Sequence, residues 1–474
     1  LIGFGTNAWP NIPEQHPPMA KLELPNFFLI DVPPEARLDP GMLREALRQI
    51  KRNRRQYILE MSTEDVVKVI ARLANNWCDD LFPFRKFALE EGPKETGFSR
   101  ETLRKGLDQF FGRITEESLH NLLSQEFGDS QSLDKPAAIP EERSENRMAL
   151  AVGPELIGHI SASNLPCPNL MRIIHGLLIG SAQFVKCAPG AGFLPRLFSH
   201  SIYEAHNKFG ACLELAEWEG GQAHLEEELF VEADCITAVG RDETLAAIRK
   251  RLPEGTLFLG HGHRVSFGFI TKDMMTRAIA NEQATLAADD VAAWDQLGCL
   301  SPHVFYVQTE GVVSGEQFAE MLANALDQKE CDEPRGNLPA AAAANISELR
   351  SVYEMRAANT GDIRLWQSED STAWTVVLDR EQGFNTSCLN RFVYVKEVAD
   401  LDEVLRTAEM VRGQVSTVGL AATKLEASDL VRQLAHWGVT RVCLIGKMQN
   451  PPLTWRHDGR PALGNYVRWT DWEM

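Results

Sequence analysis

The chain has 474 residues, of which 44% are hydrophobic and 24% charged, and its formal net charge is −18. These proportions are typical of a globular protein with about two or three domains, and they exclude disorder as the main state. The negative charge argues against nucleic acid and anionic membrane surfaces as partners. No apolar run approaches the length of a membrane span and the first block lacks a signal-peptide pattern, so we expect a cytoplasmic protein.

The chain contains nine cysteines, and none of them forms a Cys-x-x-Cys pair. This pattern disfavours a disulfide framework or a zinc ribbon, and it indicates reduced thiols. Most of these cysteines are expected to be buried as small apolar residues, which still leaves room for one nucleophile.

The first 130 residues predict an N-terminal arm and a helical extension. Residues 1–40 are rich in proline and predict an extended arm, with a strand at Phe27–Val32. The basic segment 44–55 is interpreted either as a solvated helix face or as a dock for an acidic partner or a phosphate. Ser62 and Ser99 are predicted to cap two helices, and a third helix ends near Phe127.

From about residue 148, short apolar strands alternate with helices, which is typical of βαβ units and a parallel sheet. A second alternating region begins near residue 281. The predicted organisation is therefore two α/β lobes behind the helical extension, with boundaries at 1–130, 131–280, 281–450 and 451–474.

Cys299 is the candidate nucleophile. It lies in Trp294-Asp295-Gln296-Leu297-Gly298-Cys299-Leu300-Ser301-Pro302, on a tight loop just before a predicted strand, Val304–Val307. A backbone N–H on such a loop can face a reacting carbonyl, and a thiolate is a strong nucleophile near neutral pH. The alternative is an ordinary buried cysteine.

Three further signals precede Cys299, and each has a plain structural alternative. Asn164 follows the predicted strand Leu156–Ile160 and either donates to an oxyanion or caps a helix. Lys186 ends a strand, where α/β sheets bind ligands, or is an ordinary surface lysine. Gly240 opens a helix, which suits a pyrophosphate but is equally compatible with a simple turn.

The order and spacing of these signals resemble the aldehyde dehydrogenase superfamily, since 22, 54 and 59 residues separate Asn164, Lys186, Gly240 and Cys299. A closer resemblance, over roughly residues 40–474, is to the LuxC-type acyl-CoA reductase (fatty acid reductase) family. The helical prelude, the Cys299 motif and the ending Trp455-Arg456-His457-Asp458-Gly459 with Trp469 carry this resemblance.

The resemblance implies an aldehyde-dehydrogenase-like α/β fold, with a nucleotide-binding lobe at 131–280 and a catalytic lobe at 281–450. It implies reduction of an acyl-CoA or carrier-bound fatty acyl thioester to the aldehyde by a reduced nicotinamide, through an S-acyl-cysteine. It also implies a homo-oligomer, and an acyl-transferring protein is a further candidate partner. The expected catalytic residues are Cys299 and Asn164, and the expected cofactor contacts are Lys186, Ala188, Gly240 and Arg241.

Two departures from the superfamily pattern refine these expectations. The stretch Leu257–His263 lacks the glutamate that serves as the base for hydrolysis, so acyl exchange with a thiol is expected instead of acid release. No acid follows Lys186 at the usual place, and Arg241 adds positive charge to the phosphate turn. We therefore expect NADPH in preference to NADH.

Several histidines remain ambiguous from the sequence. His261 and His263 would face the same way in a strand, but no clear third ligand is present, so we predict no metal. A local structural role for this pair, or proton transfer to the leaving thiolate, is the more plausible interpretation. His457 and Asp458 either pack at the C-terminus or line the active site. The alternative functions are an aldehyde dehydrogenase forming acid or acyl-CoA, and a non-catalytic subunit that binds an acyl protein.

Overall fold

The computed structural model describes residues 22–33, 36–161 and 165–474. Two mainly parallel sheets carry helices on their faces and form two lobes, and a helical extension packs against both. The two α/β lobes and the N-terminal helical extension predicted from the sequence are therefore confirmed. Within the described ranges, no helix combines the length and the apolar composition needed to cross a membrane.

The helical extension shares a hydrophobic core with the first lobe. The Ser62 and Ser99 side chains accept hydrogen bonds from backbone N–H groups in the first turns of their helices, as predicted. The helices of the extension are α1 (Pro40–Asn53), α2 (Thr63–Cys78), α3 (Pro83–Thr96), α4 (Arg100–Gly112), α5 (Glu116–Phe127) and α6 (Pro140–Ser144).

The arm differs from the prediction at Phe27–Val32, where the structure has a single 3-10 turn, Leu29–Asp31, instead of a strand. The Asp31 carboxylate accepts a hydrogen bond from the backbone N–H of Phe28 at 2.8 Å, which curls the chain. The same buried carboxylate pairs with Arg196 of the first lobe at 2.5 Å. The strand prediction was wrong because it did not account for this carboxylate.

The basic segment 44–55 is engaged within the chain. On α1, Arg44 and Arg48 pair with Glu228 and Glu232 of the first lobe. Complementary charge therefore helps to hold α1 on that lobe. The hypothesis that this segment docks an acidic partner loses its support, because these side chains already have acidic partners.

The first lobe contains a parallel sheet with helices on its faces. The described strands are ordered β4-β3-β2-β5-β6, so the chain leaves β2 on one side and returns with β5 on the other. Such a reversal opens a crevice at the carboxyl ends of the central strands. The elements are β1 (Arg147–Val152), which lies outside this sheet, β2 (Leu156–Ile160), α7 (Cys167–Leu178), β3 (Ala182–Cys187), α8 (Phe193–Ala205), α9 (Asn207–Gly210), β4 (Leu213–Glu217), α10 (Ala223–Glu232), β5 (Cys235–Val239), α11 (Asp242–Arg251) and β6 (Leu257–His261).

The second lobe contains a sheet with the order β13-β12-β7-β8-β11-β10-β9 among the described strands, in which only β9 runs antiparallel to its neighbour. The last strand, β14, pairs with β1 as an antiparallel ribbon. The elements are β7 (Val265–Ile270), α12 (Arg277–Ala292), β8 (Pro302–Gln308), α13 (Gly315–Asp332), α14 (Ala340–Asn359), β9 (Ile363–Gln367), β10 (Thr375–Asp379), β11 (Phe392–Val398), α15 (Leu401–Thr407), β12 (Val415–Ala421), α16 (Lys424–Trp437), β13 (Arg441–Leu444) and β14 (Arg468–Glu473).

The boundary between the two sheets lies earlier than the predicted boundary at residue 280. Strand β7 pairs with β8 and β12 of the second sheet, so the chain crosses between the lobes at 262–264. The apolar run of β7 looked like a continuation of the first lobe, because strand pairing is not visible in the sequence.

The helical extension meets the second lobe where α4 approaches Trp294. A Cβ atom built on Gly106 would lie 2.1 Å from Cζ2 of the Trp294 indole, which is buried. The absence of a side chain at Gly106 therefore allows α4 to pack against the loop that leads to Cys299.

We expect Gly106→Ala to destabilise the protein. In a helix interior alanine is favoured over glycine by about 1 kcal/mol, but here the methyl group would overlap Trp294, and overpacking typically costs about 1–3 kcal/mol. Gly112→Ala on the same helix is the matched control, because a Cβ built there has no atom within 4 Å. Thermal unfolding compares the two variants, and a Gly106→Ala variant that melts as high as Gly112→Ala would contradict the contact.

Candidate active site around Cys299

The loop before Cys299 has an unusual backbone. Trp294, Asp295 and Gln296 have φ angles of 52°, 50° and 64°, in the left-handed region, although none of them is glycine. Such residues cost on the order of 1–3 kcal/mol each and persist only where their surroundings hold them. This run reverses the chain after α12 and leads into the turn that carries Cys299.

Two side chains of the run are held by buried hydrogen bonds. The Asp295 carboxylate accepts a hydrogen bond from Arg391 Nη2 at 2.9 Å, and the Arg391 side chain is fully buried. The Gln296 amide accepts the N–H of Phe392 at 2.8 Å and donates to its carbonyl oxygen at 2.9 Å. Arg391 and Phe392 were not predicted to support the site, because 96 residues separate each from its partner.

Cys299 lies in a turn closed by a hydrogen bond from the Ser301 N–H to the Gly298 carbonyl oxygen at 3.0 Å. The Ser266 hydroxyl of β7 donates to the Cys299 carbonyl oxygen at 2.8 Å. The Gln449 amide donates to the Ser301 hydroxyl at 2.6 Å. Three parts of the chain therefore fix this turn, and Cys299 itself is exposed.

The accessible surface of Cys299 faces a cavity, whose walls replace bulk water around the thiol. This desolvation and the nearby Asp458 carboxylate raise the pKa of Cys299 to about 11. The backbone N–H of Cys299 and the Arg264 guanidinium act in the opposite direction, since both stabilise a thiolate. The resting thiol is therefore protonated at neutral pH and needs a base to react.

The cavity beside this thiol, which we call the Cys299 cleft, has a volume of about 190 Å³. Its walls come from α7, the end of β6, the Cys299 loop and residues 449–466. No aspartate or glutamate lines it within the described part of the chain, and most of its lining is apolar. The apolar side chains include Leu165, Met171, Leu259, Trp294, Leu300 and Leu453.

A hydrogen-bonded pair, His261 and Asp458, lies at this cleft. His261 Nδ1 is 2.9 Å from an Asp458 oxygen, and Arg264 Nε donates to the other oxygen at 3.2 Å. The rings of His261 and His457 stack with centroids 4.5 Å apart, and both line the cleft. The structure thus brings His457 and Asp458 to the site, whereas His263 lies beyond the end of β6 and does not line the cleft.

The pKa shifts of these side chains determine which of their atoms carry a proton at pH 7. Burial lowers the pKa of His261, and it lowers the pKa of His457 to about 3, so both rings are neutral at pH 7. Burial would raise the pKa of Asp458, but the hydrogen bond from His261 and the positive charge of the Arg264 guanidinium bring that pKa well below its usual range. Because a carboxylate only accepts, His261 Nδ1 carries the proton and Nε2 keeps a free lone pair.

The same residues offer a poor metal site. His261, His457 and Asp458 have ligand atoms within 4.8 Å of one another. A metal ion must lie near the plane of each imidazole that binds it, and the stacked rings differ by only 12° with centroids 4.5 Å apart. Asp458 is also occupied by Arg264. The absence of a metal stays a prediction, which this geometry favours.

The predicted cofactor residues lie at the carboxyl edge of the first sheet. Lys186 on β3 pairs with Ile160 at the end of β2, and β2 pairs on its other side with β5. Gly240 and Arg241 follow β5 and precede α11. Ala188 begins the tight turn that follows β3. These residues therefore flank the end of β2, at the crevice expected to bind a nucleotide.

Lys186 is buried and has no fixed anionic partner among the residues described. Its Nζ lies 5.7 Å from the centroid of the Trp218 ring, and burial lowers its pKa. Glu217, on the neighbouring strand β4, accepts a hydrogen bond from the Gly190 N–H at 3.2 Å and interacts electrostatically with Lys186. Glu226 of α10, which pairs with Arg251, interacts electrostatically with Lys186 as well. Neither carboxylate lies next to Lys186 along the chain, so the prediction of NADPH did not take them into account.

Asn164, the expected oxyanion donor, lies outside the described residues, so its role stays a prediction. The remaining cysteines include three buried ones in the first lobe, Cys187, Cys212 and Cys235, whose pKa values burial raises to about 12.

Comparison with known proteins identifies the family. A family model described as acyl-CoA reductase (LuxC) matches residues 58–469, most of the chain. The chain belongs to the acyl-CoA reductase (LuxC) family. The resemblance found in the Cys299 motif and the C-terminal ending is thereby confirmed, and membership makes this chain an oxidoreductase.

Two curated proteins are similar to this acyl-CoA reductase family member. The long-chain acyl-protein thioester reductase of Aliivibrio fischeri is 21% identical over 424 residues, covering 88% of this chain and 83% of that protein. Long-chain acyl-protein thioester reductase 2 of Photobacterium leiognathi is 19% identical over 417 residues, covering 86% and 82%.

Solved structures confirm the aldehyde-dehydrogenase-like fold. A putative aldehyde dehydrogenase from Burkholderia cenocepacia has a TM-score of 0.69 at 16% identity, with 92% of both chains covered. Glyceraldehyde-3-phosphate dehydrogenase GapN from Methanocaldococcus jannaschii, complexed with NADP, has a TM-score of 0.64 at 12% identity, covering 92% and 95%. Bifunctional proline utilization A has a TM-score of 0.71 at 16% identity, and this chain spans 45% of its length.

The charges around Cys299 give a test by alkylation with iodoacetamide. Below a pKa of about 11, the thiolate fraction and hence the rate should rise about tenfold per pH unit between pH 7 and 10. Asp458→Asn removes a negative charge that raises this pKa and should accelerate alkylation at pH 8, whereas Arg264→Gln should slow it. Cys299→Ser supplies the background from other thiols. Equal rates in both charge variants would show that these groups do not act on Cys299.

Proposed function

We propose that the protein reduces an acyl thioester to the aldehyde through an S-acyl intermediate on Cys299, with a reduced nicotinamide as the co-substrate. The observation that carries this proposal is an accessible cysteine that opens into a largely apolar cleft in a member of the acyl-CoA reductase family. The apolar lining suits an acyl chain, and the thiol lies where the thioester carbonyl would enter.

His261 is the proposed base for Cys299. The free lone pair on Nε2 accepts the Cys299 proton, while Asp458 stabilises the resulting imidazolium. Cys299 Sγ forms a bond to the acyl carbon, the bond from that carbon to the donor sulfur breaks, and His261 returns the proton to the departing thiol. This transfer balances protons and leaves His261 neutral beside the acylated cysteine.

The oxyanion of each tetrahedral intermediate would be stabilised by the Cys299 backbone N–H and the Asn164 side chain. Removing one such donor typically costs about 3 kcal/mol of transition-state stabilisation. After hydride addition, the oxyanion collapses to the aldehyde and expels the Cys299 thiolate, which takes up a proton.

The proposal favours aldehyde formation over acid formation. No carboxylate lines the Cys299 cleft in the described ranges, so the cleft offers no acidic residue as a base for water. His261 serves the proton transfer of Cys299, and we propose that the acyl group is retained until it is reduced. An assay with aldehyde and NAD, with and without CoA, tests the acid-forming alternative, and failure to bind nicotinamide would favour a non-catalytic subunit.

The residues at the carboxyl edge fit a nicotinamide dinucleotide. Gly240 and Arg241 precede α11, whose N-terminus can receive a pyrophosphate. Lys186 lies at the same edge, and its ammonium has no fixed anionic partner among the residues described. When bound there, the reduced cofactor supplies the hydride. We propose NADPH as the preferred form because Lys186 and Arg241 attract a 2′-phosphate, although Glu217 opposes it.

The acyl donor is proposed to be acyl-CoA or an acylated protein, since the similar curated proteins are named acyl-protein thioester reductases. A protein donor would make an acyl-transferring partner part of the system. A homo-oligomer and a cytoplasmic location stay predictions from the resemblance and the composition.

Replacement of Cys299 should abolish the reaction. We expect NADPH oxidation with acyl-CoAs from butyryl to stearoyl to disappear in Cys299→Ala, together with covalent attachment of a radiolabelled acyl group. The exposed Cys78 gives a matched control, and Cys78→Ala should retain both activities. Normal acyl attachment in Cys299→Ala would disprove the nucleophile assignment.

Glu217 should limit the use of NADPH. We expect Glu217→Gln to raise the ratio of kcat/KM for NADPH over NADH by about tenfold, because one unit of charge opposes the 2′-phosphate near Lys186. Glu219→Gln, two residues further along and outside β4, is the control and should leave the ratio unchanged. If the NADPH/NADH ratio of kcat/KM is unchanged in Glu217→Gln, the adenosine ribose does not bind near Glu217.

A further inference from the structure

The Cys299 cleft contains a polar patch that the proposed reaction does not use. Arg172 and His175 lie one turn apart on α7, and Tyr466 approaches from the C-terminal segment. All three line the cleft, and no hydrogen bond engages their side chains among the described residues. An alkyl chain alone would leave these donors without acceptors.

Within this patch, Arg172 is the buried charged residue that most needs a partner. Its side chain is only 6% exposed, and its Nη1 atom is enclosed without a hydrogen-bond partner in the described ranges. No ion pair within those ranges engages its guanidinium. The carboxylate of Asp458 interacts electrostatically with Arg172, but it is already bound by His261 and Arg264. A buried cation without a partner is strongly unfavourable, so this site is incomplete without an anion.

The charge of the cleft is opposite to that of the whole chain. The protein has a net charge of −18, yet Arg113, Arg172 and Arg460 line the cleft and no acidic side chain does so among the described residues. Arg113 is partly satisfied, since it donates to the Pro451 carbonyl oxygen at 2.7 Å. Arg460 is exposed to solvent and Arg113 is half-buried, so Arg172 is the most deeply buried of the three cations.

The position of Arg172 indicates which part of a substrate supplies the anion. Arg172 lines the same cleft as Cys299, His261 and His457. The phosphate of a phosphopantetheine donor is separated from the thioester by the long pantetheine spacer. An acyl group can instead carry a carboxylate within the cleft, and a planar guanidinium binds a carboxylate through two hydrogen bonds.

We propose that the protein acts on acyl groups that carry a carboxylate on the chain, and that Arg172, assisted by Tyr466 and His175, binds this carboxylate. This inference rests on the proposed thioester reduction for its turnover test but not for its binding test. The apolar walls hold the methylene segment, and the polar patch selects the acid. Monothioesters of dicarboxylic acids are the predicted substrate class.

Binding is tested first, with esters that cannot be reduced in the absence of cofactor. Monomethyl esters of dicarboxylic acids from four to ten carbons should slow iodoacetamide alkylation of Cys299 in the wild type, and the dimethyl esters should not. Arg172→Met should bind the best monoester at least tenfold more weakly, and Arg172→Lys should retain part of the binding. Arg432→Met, at an exposed arginine on α16, is the matched control and should behave like the wild type.

Stability gives a second readout that a merely structural arginine would not produce. Replacing a buried charge that has no ion-pair partner among the described residues by the shorter, uncharged methionine should keep or raise the melting temperature of the ligand-free protein. The monoester should then stabilise the wild type more than Arg172→Met. A lower melting temperature in Arg172→Met together with unchanged ester binding would overturn the proposal.

A turnover assay distinguishes a role of Arg172 in binding the acyl carboxylate from a role in binding the donor phosphate. The wild type should prefer hexanedioyl over hexanoyl thioesters with CoA and also with N-acetylcysteamine, which has no phosphate, and Arg172→Met should lose this preference. If Arg172→Met instead lowers the activity with both CoA thioesters and leaves the activity with both N-acetylcysteamine thioesters unchanged, Arg172 binds the donor phosphate. That result would overturn the proposal. If no thioester is reduced, the proposed function fails and the ester-binding result still decides the role of Arg172.

Discussion

The geometry of the candidate active site depends on the buried ion pair between Asp295 and Arg391. Each partner belongs to a run of three left-handed residues, Trp294–Gln296 and Leu389–Arg391, so the pair fastens two strained turns to each other. Removing one partner of a buried pair typically costs about 3–5 kcal/mol, against a total stability of about 5–15 kcal/mol. The strain that presents Cys299 is therefore sustained by a contact that the fold cannot easily lose.

A second cavity, of about 270 Å³, shares a wall with the Cys299 cleft. Leu165, just before α7, lines both cavities. The second cavity extends from Gly190, in the turn after β3, to Asp295 and Leu297 just before the nucleophile. The carboxyl edge of the first sheet and the nucleophile of the second thus meet across Leu165. In the proposed reaction, a cofactor at the carboxyl edge and an acyl group in the Cys299 cleft would lie on different sides of Leu165.

The sequence predicted what is local and missed what is brought together by folding. The Cys299 turn, the helix caps at Ser62 and Ser99 and the alternation of strands and helices are encoded within a few residues, and they were found. The contact of His261 with Asp458 joins residues 197 positions apart, and no periodicity reveals it. The position of β7 in the second sheet and the carboxylate of Glu217 near Lys186 also depend on which strands become neighbours, which hydrophobic patterning leaves undetermined.

A negatively charged protein that handles an acidic acyl group must rely on contact and not on attraction from a distance. At physiological salt the screening length is about 8 Å, so the arginines of the cleft act only on a ligand that has already entered, while the remaining surface repels it weakly. Within the cleft the dielectric constant is low, and the guanidinium of Arg172, which has no ion-pair partner among the described residues, would become a strong and specific partner. Selectivity would then arise from how well the bound carboxylate replaces water around a buried cation, in a cleft whose lining is mostly apolar.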